Sequence, residues 1–316
     1  MDISVIVALL NEKESLPELV QRIGAVMKEN SYSYEIIMVD DGSTDGSWQC
    51  IEQLSKADPN IHGICFRRNY GKSAALYCGF NKAQGDVVIT MDADLQDFPE
   101  EIPGLYNMIK DEGWDIVSGW KQHRQDNALT KNLPSKLYNA TARRITGLKL
   151  HDMNCGLKAY RNEVVKNIEV YGEMHRYIPY LAKNAGFSRI TEKPTRHAKR
   201  KFGKSKFGAS RFINGFLDLL SLWFLSTFGK KPMHFFGYSG IFTFLVGFVM
   251  AIWIIVDKLV AQSHHLPFRP VTEQPLFFLA LVAIIIGVLF FLAGFLGELI
   301  ARSSGERNRY NIRKEF

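Results

Sequence analysis

Several features that usually betray a function are missing. The four cysteines, Cys50, Cys65, Cys78 and Cys155, are scattered and never form a C-x-x-C pair, which removes the common zinc and dithiol frameworks. No G-x-G-x-x-G occurs, so a dinucleotide site of the Rossmann type has no support. The tripeptide GKS appears at Gly71 and again at Gly203, but the first glycine of a P-loop is replaced by Phe66 and Ala198, which disfavours a P-loop NTPase. No repeat of fixed period and no low-complexity tract is evident. The N-terminus, MDISVIVALLNE, lacks a basic n-region and a small-residue cleavage site, and is expected to be a strand of the mature protein rather than a signal peptide. Charge is scarce in the last third: Phe235 to Val256 holds no charged residue over 22 positions, and Pro275 to Gly297 is a second run of this kind.

What is present divides the chain in two. Scattered thiols in a mixed α/β pattern favour reduced cysteines in a cytosol-facing domain. Short apolar runs, ISVIVALL from Ile3, EIIMVD from Glu35, IHGICF, DVVITMD and WDIVSG, alternate with segments of helical period. Leu16, Leu19, Val20, Ile23 and Val26 mark the first helix, and Trp48, Ile51 and Leu54 the second. Further helices are expected through Ala74 to Ala83 and near Ile102 to Ile109. Such alternation predicts a mostly parallel sheet covered on both faces. Ligands of these sheets bind at the carboxyl ends of the strands. Here those ends read NE, DDGSTD, RRN, DAD and SGW, so polar and charged groups gather along one edge.

The stretch MDADLQD, Met91 to Asp97, stands out. Three carboxylates within six residues repel one another unless a cation sits among them. A solvated turn would explain the motif alone, but its place at a strand end favours a site. The net charge of +7 and the pI of about 9.1 suit nucleic acid, an anionic membrane surface or a phosphorylated substrate. Nucleic acid is disfavoured, because the basic run RHAKRKFGKSKFGASR, Arg196 to Arg211, has no recognisable binding module beside it.

In order along the chain, VDDGSTDGS, RNYGKSAAL, GDVVITMDADLQD and LHDMNCGLKAYR resemble the family 2 glycosyltransferases of GT-A fold, and more closely the polyprenyl-phosphate glycosyltransferases, the group of dolichol-phosphate mannose synthase and bactoprenol glucosyl transferase. The resemblance implies an α/β, Rossmann-like catalytic domain over 1–208. It implies transfer of a sugar from a nucleotide-diphosphate donor, UDP- or GDP-linked, to a polyprenyl (undecaprenyl) phosphate. It places Mg²⁺ or Mn²⁺ on Asp92 and Asp94, with Gln96 an additional ligand. Ala93 would keep that turn narrow, Leu95 would be core, and Asp97 would support the turn. Asn11, Glu12, Asp40 and Asp41 would contact the base and ribose. Asp41-Gly42-Ser43 also reads as a simple turn, and Ser43, Thr44 or Asp45 as a helix cap. Lys72 would lie on the nucleotide side, and equally reads as a surface lysine at a helix start. Asp152 would be catalytic or orient the acceptor, with His151, Asn154, Cys155 and Gly156 structural. For the acceptor phosphate the resemblance points to Arg124, Arg200, Ser205 and Lys206, the last three in a basic loop. Lys121 stands where the family usually has an arginine, and Leu9-Leu10 replace its usual proline-containing pair. A processive polysaccharide synthase would carry Q-x-x-R-W, but no tryptophan here follows an arginine. A catalytically silent scaffold would not need an intact D-x-D.

The rest of the chain is expected to hold interfacial amphipathic helices at 209–232, a two-helix transmembrane hairpin at 233–300 and a basic cytosolic tail at 301–316. Twenty-two helical residues reach about 33 Å, enough to span a bilayer. The tail carries Arg302, Arg307, Arg309, Arg313 and Lys314, whereas the connection Asp257 to Gln274 is balanced in charge. Basic residues before the first span and after the second predict both termini in the cytosol, at the plasma (inner) membrane. A homo-oligomer is left open.

Overall fold

The computed structural model describes residues 1–121, 140–172, 174–198, 232–265, 267, 269–303, 310 and 312–316. The chain forms two compact units: Met1–Leu219 together with Arg307–Phe316, and Leu220–Glu306.

The first unit is built on one eight-stranded sheet in the order β7-β5-β6-β4-β1-β2-β3-β8. Its strands are β1 (Ile3–Leu9), β2 (Tyr34–Asp40), β3 (Ile61–Phe66), β4 (Val87–Asp92), β5 (Ile116–Lys121), β6 (Lys158–Arg161), β7 (Ile190–Thr195) and β8 (Ile312–Glu315). Of the five expected from the apolar runs, β1 to β5, the first four are all parallel to one another. Strand β6 runs antiparallel between β4 and β5, and β7 lies parallel to β5.

Period-2 side chains of these strands feed cores on both faces. One face of β1, with Ile3, Val5, Val7 and Leu9, joins Ile36, Met38, Val87, Ile89 and Met91 in a buried cluster. Helix α1 (Leu16–Glu29) packs onto that cluster through Leu16, Leu19, Ile23, Val26 and Met27, its 3.6-residue stripe. Proline in its first turn, Glu18 near its start and Lys28 near its end suit the helix dipole. Helices α2 (Ser47–Ala57) and α4 (Ile102–Lys110) add Trp48, Ile51, Ile102, Leu105 and Ile109. On the opposite face α3 (Lys72–Lys82) comes close to β1, because Gly79 has no side chain: a Cβ there would lie 2.5 Å from the Ile6 Cγ2. Short helices α5 (Asn162–Lys166) and α6 (Ile178–Asn184) also belong to this unit.

The tail departs from expectation. Residues 301–316 are not a separate segment throughout: β8 pairs antiparallel with β3, with Ile64 opposite Glu315, Cys65 opposite Lys314 and Phe66 opposite Ile312. The backbones of Gly63 and Phe316 exchange two hydrogen bonds of 3.1 Å. Lys314 pairs with Glu52 at 2.8 Å, Glu315 with Lys82 at 2.7 Å, and Phe316 lies against Trp48. Basic composition concealed this strand, because its side chains are exposed and lack the apolar alternation that marks a half-buried strand.

The second unit consists of α7 (Pro232–Ser263) and α8 (Pro275–Ser303). Met233–Ser263 and Pro275–Gly297 have mean hydropathies of 2.4 and 3.2 and are long and apolar enough to cross a membrane. Most of their surface is not buried within the protein: Tyr238, Phe242, Trp253 and Ile300 are among the exposed apolar residues. Where the two helices meet, glycines let the backbones approach. A Cβ on Gly240 would lie 2.7 Å from the Gly287 carbonyl oxygen, and one on Gly247 2.7 Å from that of Ala280. Small residues serve this purpose in lipid, where no hydrophobic effect drives helices together. The expected interfacial helices at 209–232 lie almost wholly outside the described residues.

All four cysteines are free thiols, as their scatter suggested. Burial pushes Cys65 up to about 11 and Cys78 and Cys155 up to about 12, and raises Cys50 as well. At pH 8 the first three are then thiolate in about one molecule in 10³ to 10⁴. Maleimide or iodoacetamide at pH 8 is expected to modify the native protein far more slowly than the denatured chain, by intact-mass measurement. Rapid stoichiometric labelling of Cys155 in the folded protein would contradict this packing.

Candidate active site

Register places the acidic residues. Leu9 of β1 lies opposite Asp40 of β2, and Ala8 opposite Asp92 of β4. The carboxyl ends of three adjacent strands therefore stop at one level, with Asp40 and Asp92 on either side of β1 and about 10 Å apart by strand spacing. The sequence between and after these ends builds two halves of a site.

The β2 half is a wired loop. Asn11 sits in the left-handed region at φ 55°. Its backbone N–H donates to Ser43 Oγ at 2.8 Å, and its side-chain oxygen accepts from the Thr44 N–H at 2.8 Å. The Glu12 N–H donates to Ser47 Oγ and the Lys13 N–H to Asp45 Oδ2. Asp40, fully buried, accepts from the Ser43 N–H at 2.9 Å. Asp41 takes the Tyr70 N–H on one oxygen (2.7 Å) and the Gly71 N–H on the other (2.9 Å). Burial raises the Asp41 carboxyl despite these two donors. Gly42 at φ 79° lies so close to the Arg68–Asn69 backbone that a Cβ would come within 2.7 Å of it. The acidic turn thus does structural work, holding the loop after β3 against the loop after β1.

The β4 half holds the charges. Asp92 pairs with the Lys72 ammonium, and both side chains are about one-third exposed. Burial alone would raise the Asp92 carboxyl, but Lys72, Lys121 and Lys158 outweigh it and hold the group well below the usual carboxylate range. Ala93, Asp94 and Leu95 are buried. Asp94 Oδ1 accepts from the Gln96 N–H at 3.2 Å. Leu95 is held at φ 58°, a left-handed conformation costing roughly 1–3 kcal/mol for such a residue. Gln96 binds the start of the basic segment twice: its Nε2 donates to the Ala198 carbonyl at 3.2 Å, and its own carbonyl accepts the Ala198 N–H at 2.9 Å. Asp97, 1 % exposed, forms an ion pair with Lys121 at 3.3 Å and lies 3.5 Å from His197 Nδ1.

The segment after residue 150 closes over the end of β4. Asp152 is buried and accepts from the Asn154 N–H at 3.1 Å. The Gly156 carbonyl accepts from Thr90 Oγ1 at 2.8 Å, and a Cβ on Gly156 would collide with the Asp92 carboxylate. His151 stacks on Trp120 with ring centroids 4.3 Å apart and pairs with Glu192, so it supports the loop.

Two basic groups went unnoticed in the sequence. Lys158 opens β6 and is 3 % exposed, and its ammonium donates to the Cys155 carbonyl. Burial pushes its pKa down, while Asp152 and Asp92 act in the opposite sense. His175 is held by Ser73, whose Oγ accepts the His175 N–H at 3.0 Å and meets its Nδ1 at 3.1 Å. Burial, with Lys72, Arg176 and Lys158 nearby, drives the imidazole well below its ordinary pKa, so it is neutral at pH 7. A lysine inside the short run GLKAYR was the available signal for Lys158. His175, in a segment without period, gave none.

A divalent cation can be tested against this donor set. Among the described residues no group of three or more His, Cys, Asp or Glu is gathered to hold an ion unaided. Asp92 and Asp94 supply two carboxylates from one turn, and a cation already rests on Asp92 in the form of the Lys72 ammonium. Two carboxylates plus phosphate oxygens from a substrate is a normal Mg²⁺ environment. The residues fit an ion whose shell is completed by a diphosphate. Arg124, Arg200, Ser205 and Lys206 lie outside the described residues.

A mostly parallel sheet, covered on both faces, with carboxylates and lysines meeting at its strand ends, is the GT-A architecture of sugar-transferring enzymes. Residues 4–169 match the model of Glycosyl transferase family 2, and the chain belongs to that family; it is a glycosyltransferase. It is 33 % identical over 305 residues to dodecaprenyl-phosphate galacturonate synthase of Rhizobium johnstonii, covering 96 % of this chain and 88 % of that one. It is 37 % identical over 318 residues to undecaprenyl-phosphate 4-deoxy-4-formamido-L-arabinose transferase of Pseudomonas fluorescens, covering 99 % and 89 %. Glucosyl-3-phosphoglycerate synthase of Mycobacterium tuberculosis, solved with Mn²⁺, uridine-diphosphate-glucose and phosphoglyceric acid, shares the fold with a TM-score of 0.54 and 21 % identity, over 70 % of this chain and 79 % of that one. Mannosyl-3-phosphoglycerate synthase of Rubrobacter xylanophilus does so with a TM-score of 0.56 and 15 % identity, over 71 % and 74 %.

The contact between Gly156 and Asp92 makes a specific demand. In Gly156→Ala the new methyl must displace the carboxylate, at roughly 1–3 kcal/mol of stability by the usual cost of overpacking. A thermal melt is expected to show a modest loss while sugar transfer falls much further, because Asp92 moves. Transfer falling no more than the folded fraction does would mean that the placement of Asp92 is not critical.

Proposed function

We propose that the protein transfers a sugar from a nucleotide-diphosphate donor to a polyprenyl phosphate, undecaprenyl phosphate in a bacterium, at the cytosolic face of the plasma membrane. The observation that carries this reading is the union in one chain of a half-buried Asp92–Lys72 pair beside the buried Asp94, suited to a diphosphate, with two apolar helices of membrane length. Relatives named for dodecaprenyl- and undecaprenyl-phosphate products support the acceptor class.

In this reading the wired loops that carry Asn11, Glu12, Asp40 and Asp41 are assigned to the nucleoside, uridine or guanosine, and Lys72 to the diphosphate. Asp92 and Asp94, with Gln96 beside them, would hold Mg²⁺ or Mn²⁺, which supplies positive charge against the departing diphosphate. An oxygen of the lipid phosphate attacks the anomeric carbon from the side opposite the diphosphate. The new carbon–oxygen bond forms as the old one breaks, and the electron pair leaves on the nucleoside diphosphate, inverting the centre. The acceptor is already largely ionised at pH 7, since the second pKa of a phosphate monoester is about 6. Asp152 therefore orients the acceptor more than it removes a proton. Arg124, Arg200, Ser205 and Lys206 are assigned to the lipid phosphate.

Purified protein offered uridine- and guanosine-diphosphate sugars, including galacturonic acid and formamido-arabinose donors, should move label from one of them into undecaprenyl phosphate. Transfer to none of the lipids, with hydrolysis or soluble products instead, would refute the acceptor. Asp94→Asn should lower turnover at least ~10²-fold, about 2.7 kcal/mol of barrier, and excess EDTA should abolish transfer. Full activity in EDTA would remove the metal.

Orientation is tested separately. With the native cysteines replaced, a cysteine at position 263 should react in intact cells with a reagent that cannot cross the membrane, and one at position 303 should not. Labelling at 303 alone would reverse the assignment.

A further inference from the structure

The tail strand does more than cover an edge. Tyr310, just before β8, stacks on Phe66 with ring centroids 5.7 Å apart and 29° between the planes. It meets Tyr70 edge-on at 5.6 Å and Tyr77 at 6.4 Å. Phe66 is the last residue of β3, Tyr70 lies in the following loop and Tyr77 is inside α3. Phe66 and Tyr70 also touch each other at 5.5 Å.

These three rings bracket a hinge. Between Tyr70 and Tyr77 the chain turns at Gly71, at φ 92°, where a Cβ would meet nothing within 4 Å. The next residue, Lys72, begins α3 and carries the ammonium that pairs with Asp92. No atoms crowd the outer side of Gly71, so the direction of the turn is set by its hydrogen bonds and its flanks. On one flank Asp41 accepts the Tyr70 and Gly71 N–H groups. On the other stand Tyr310, against Tyr70 and Tyr77, and Glu315, paired with Lys82 at the end of α3.

We propose that Tyr310 is a positioning residue for the donor site: from the far end of the chain its ring clamps Phe66, Tyr70 and Tyr77 and so fixes the approach of Lys72 to Asp92. It acts through the 70–72 hinge and touches no reacting atom. The effect on donor use rests on the reading of Lys72 as a diphosphate contact, while the effect on the hinge does not.

The test uses the full-length protein in lipid nanodiscs, comparing wild type with Tyr310→Ala, Tyr310→Phe and Lys72→Ala. Lys314→Ala, which removes only the exposed tail contact to Glu52, serves as control. Amide hydrogen exchange is followed over 66–77 and over β1 and β4, with donor KM and lipid KM measured alongside. Loss of the aromatic contacts in Tyr310→Ala is expected to speed exchange at Tyr70 and Gly71. It should also raise donor KM roughly 5- to 10-fold, with lipid KM unchanged. Tyr310→Phe keeps the ring and should restore both, and Lys314→Ala should alter neither.

Unchanged exchange over 66–77 overturns the proposal. Faster exchange throughout the sheet also overturns it, since Tyr310 would then be merely structural. Local exchange with unaltered donor KM refutes it if Lys72→Ala does raise donor KM. If Lys72→Ala leaves donor KM unaltered as well, the reading of Lys72 fails and the clamp on the hinge stands.

Discussion

Everything at the strand ends depends on setting lysines against carboxylates where water is scarce. The buried Asp94, Asp97 and Asp152 and the half-buried Asp92 crowd one end of the sheet, and a buried charge without a partner costs several kcal/mol. Lysines from three different elements compensate: Lys72 from α3, Lys121 from β5 and Lys158 from β6. The arrangement leaves Asp92 firmly anionic, as a carboxylate must be to hold a cation. It also explains why Gly156 is glycine: a side chain would take the space the carboxylate occupies.

Around that charge cluster the backbone is held in conformations it would not choose freely. Asn11 and Leu95 both have positive φ and both lie just past the ends of adjacent strands, β1 and β4. Two hydrogen bonds of 2.8 Å bind Asn11 to the loop after β2, so it cannot relax without breaking contacts in a neighbour, while Leu95 is spanned within its own turn by the bond from the Gln96 N–H to Asp94. Gln96 extends the same logic outward, since its two bonds to Ala198 fix where the basic segment begins relative to the acidic turn.

The legible part of the molecule was the part governed by local rules. Strands β1 to β5 declared themselves through short apolar runs, helices α1, α2 and α4 through a 3.6-residue stripe, and the spans through length and hydropathy. D-x-D was visible because three nearby carboxylates at a strand end have few structural uses. Strands β6, β7 and β8 escaped because pairing partners distant in sequence, rather than their own pattern, make them strands: KAYR and ITEKPT are too short or too polar to stand out. Lys158 and His175 escaped for a related reason. Their meaning comes from burial, which for His175 arises where residues 102 apart meet at Ser73. Asp41 illustrates the converse, since two loop amides fill its oxygens and the sequence alone assigned it to ligand and turn alike.

The return of the chain to the sheet has a consequence for the order of synthesis. Residues 312–315 leave the ribosome after α7 and α8, so β3 is an outer edge with unpaired N–H and C=O groups until both apolar helices have been made. The β-sheet is therefore finished last, by a segment translated after both apolar helices. A nascent chain stalled before Tyr310 would have its acidic cluster but not its eighth strand.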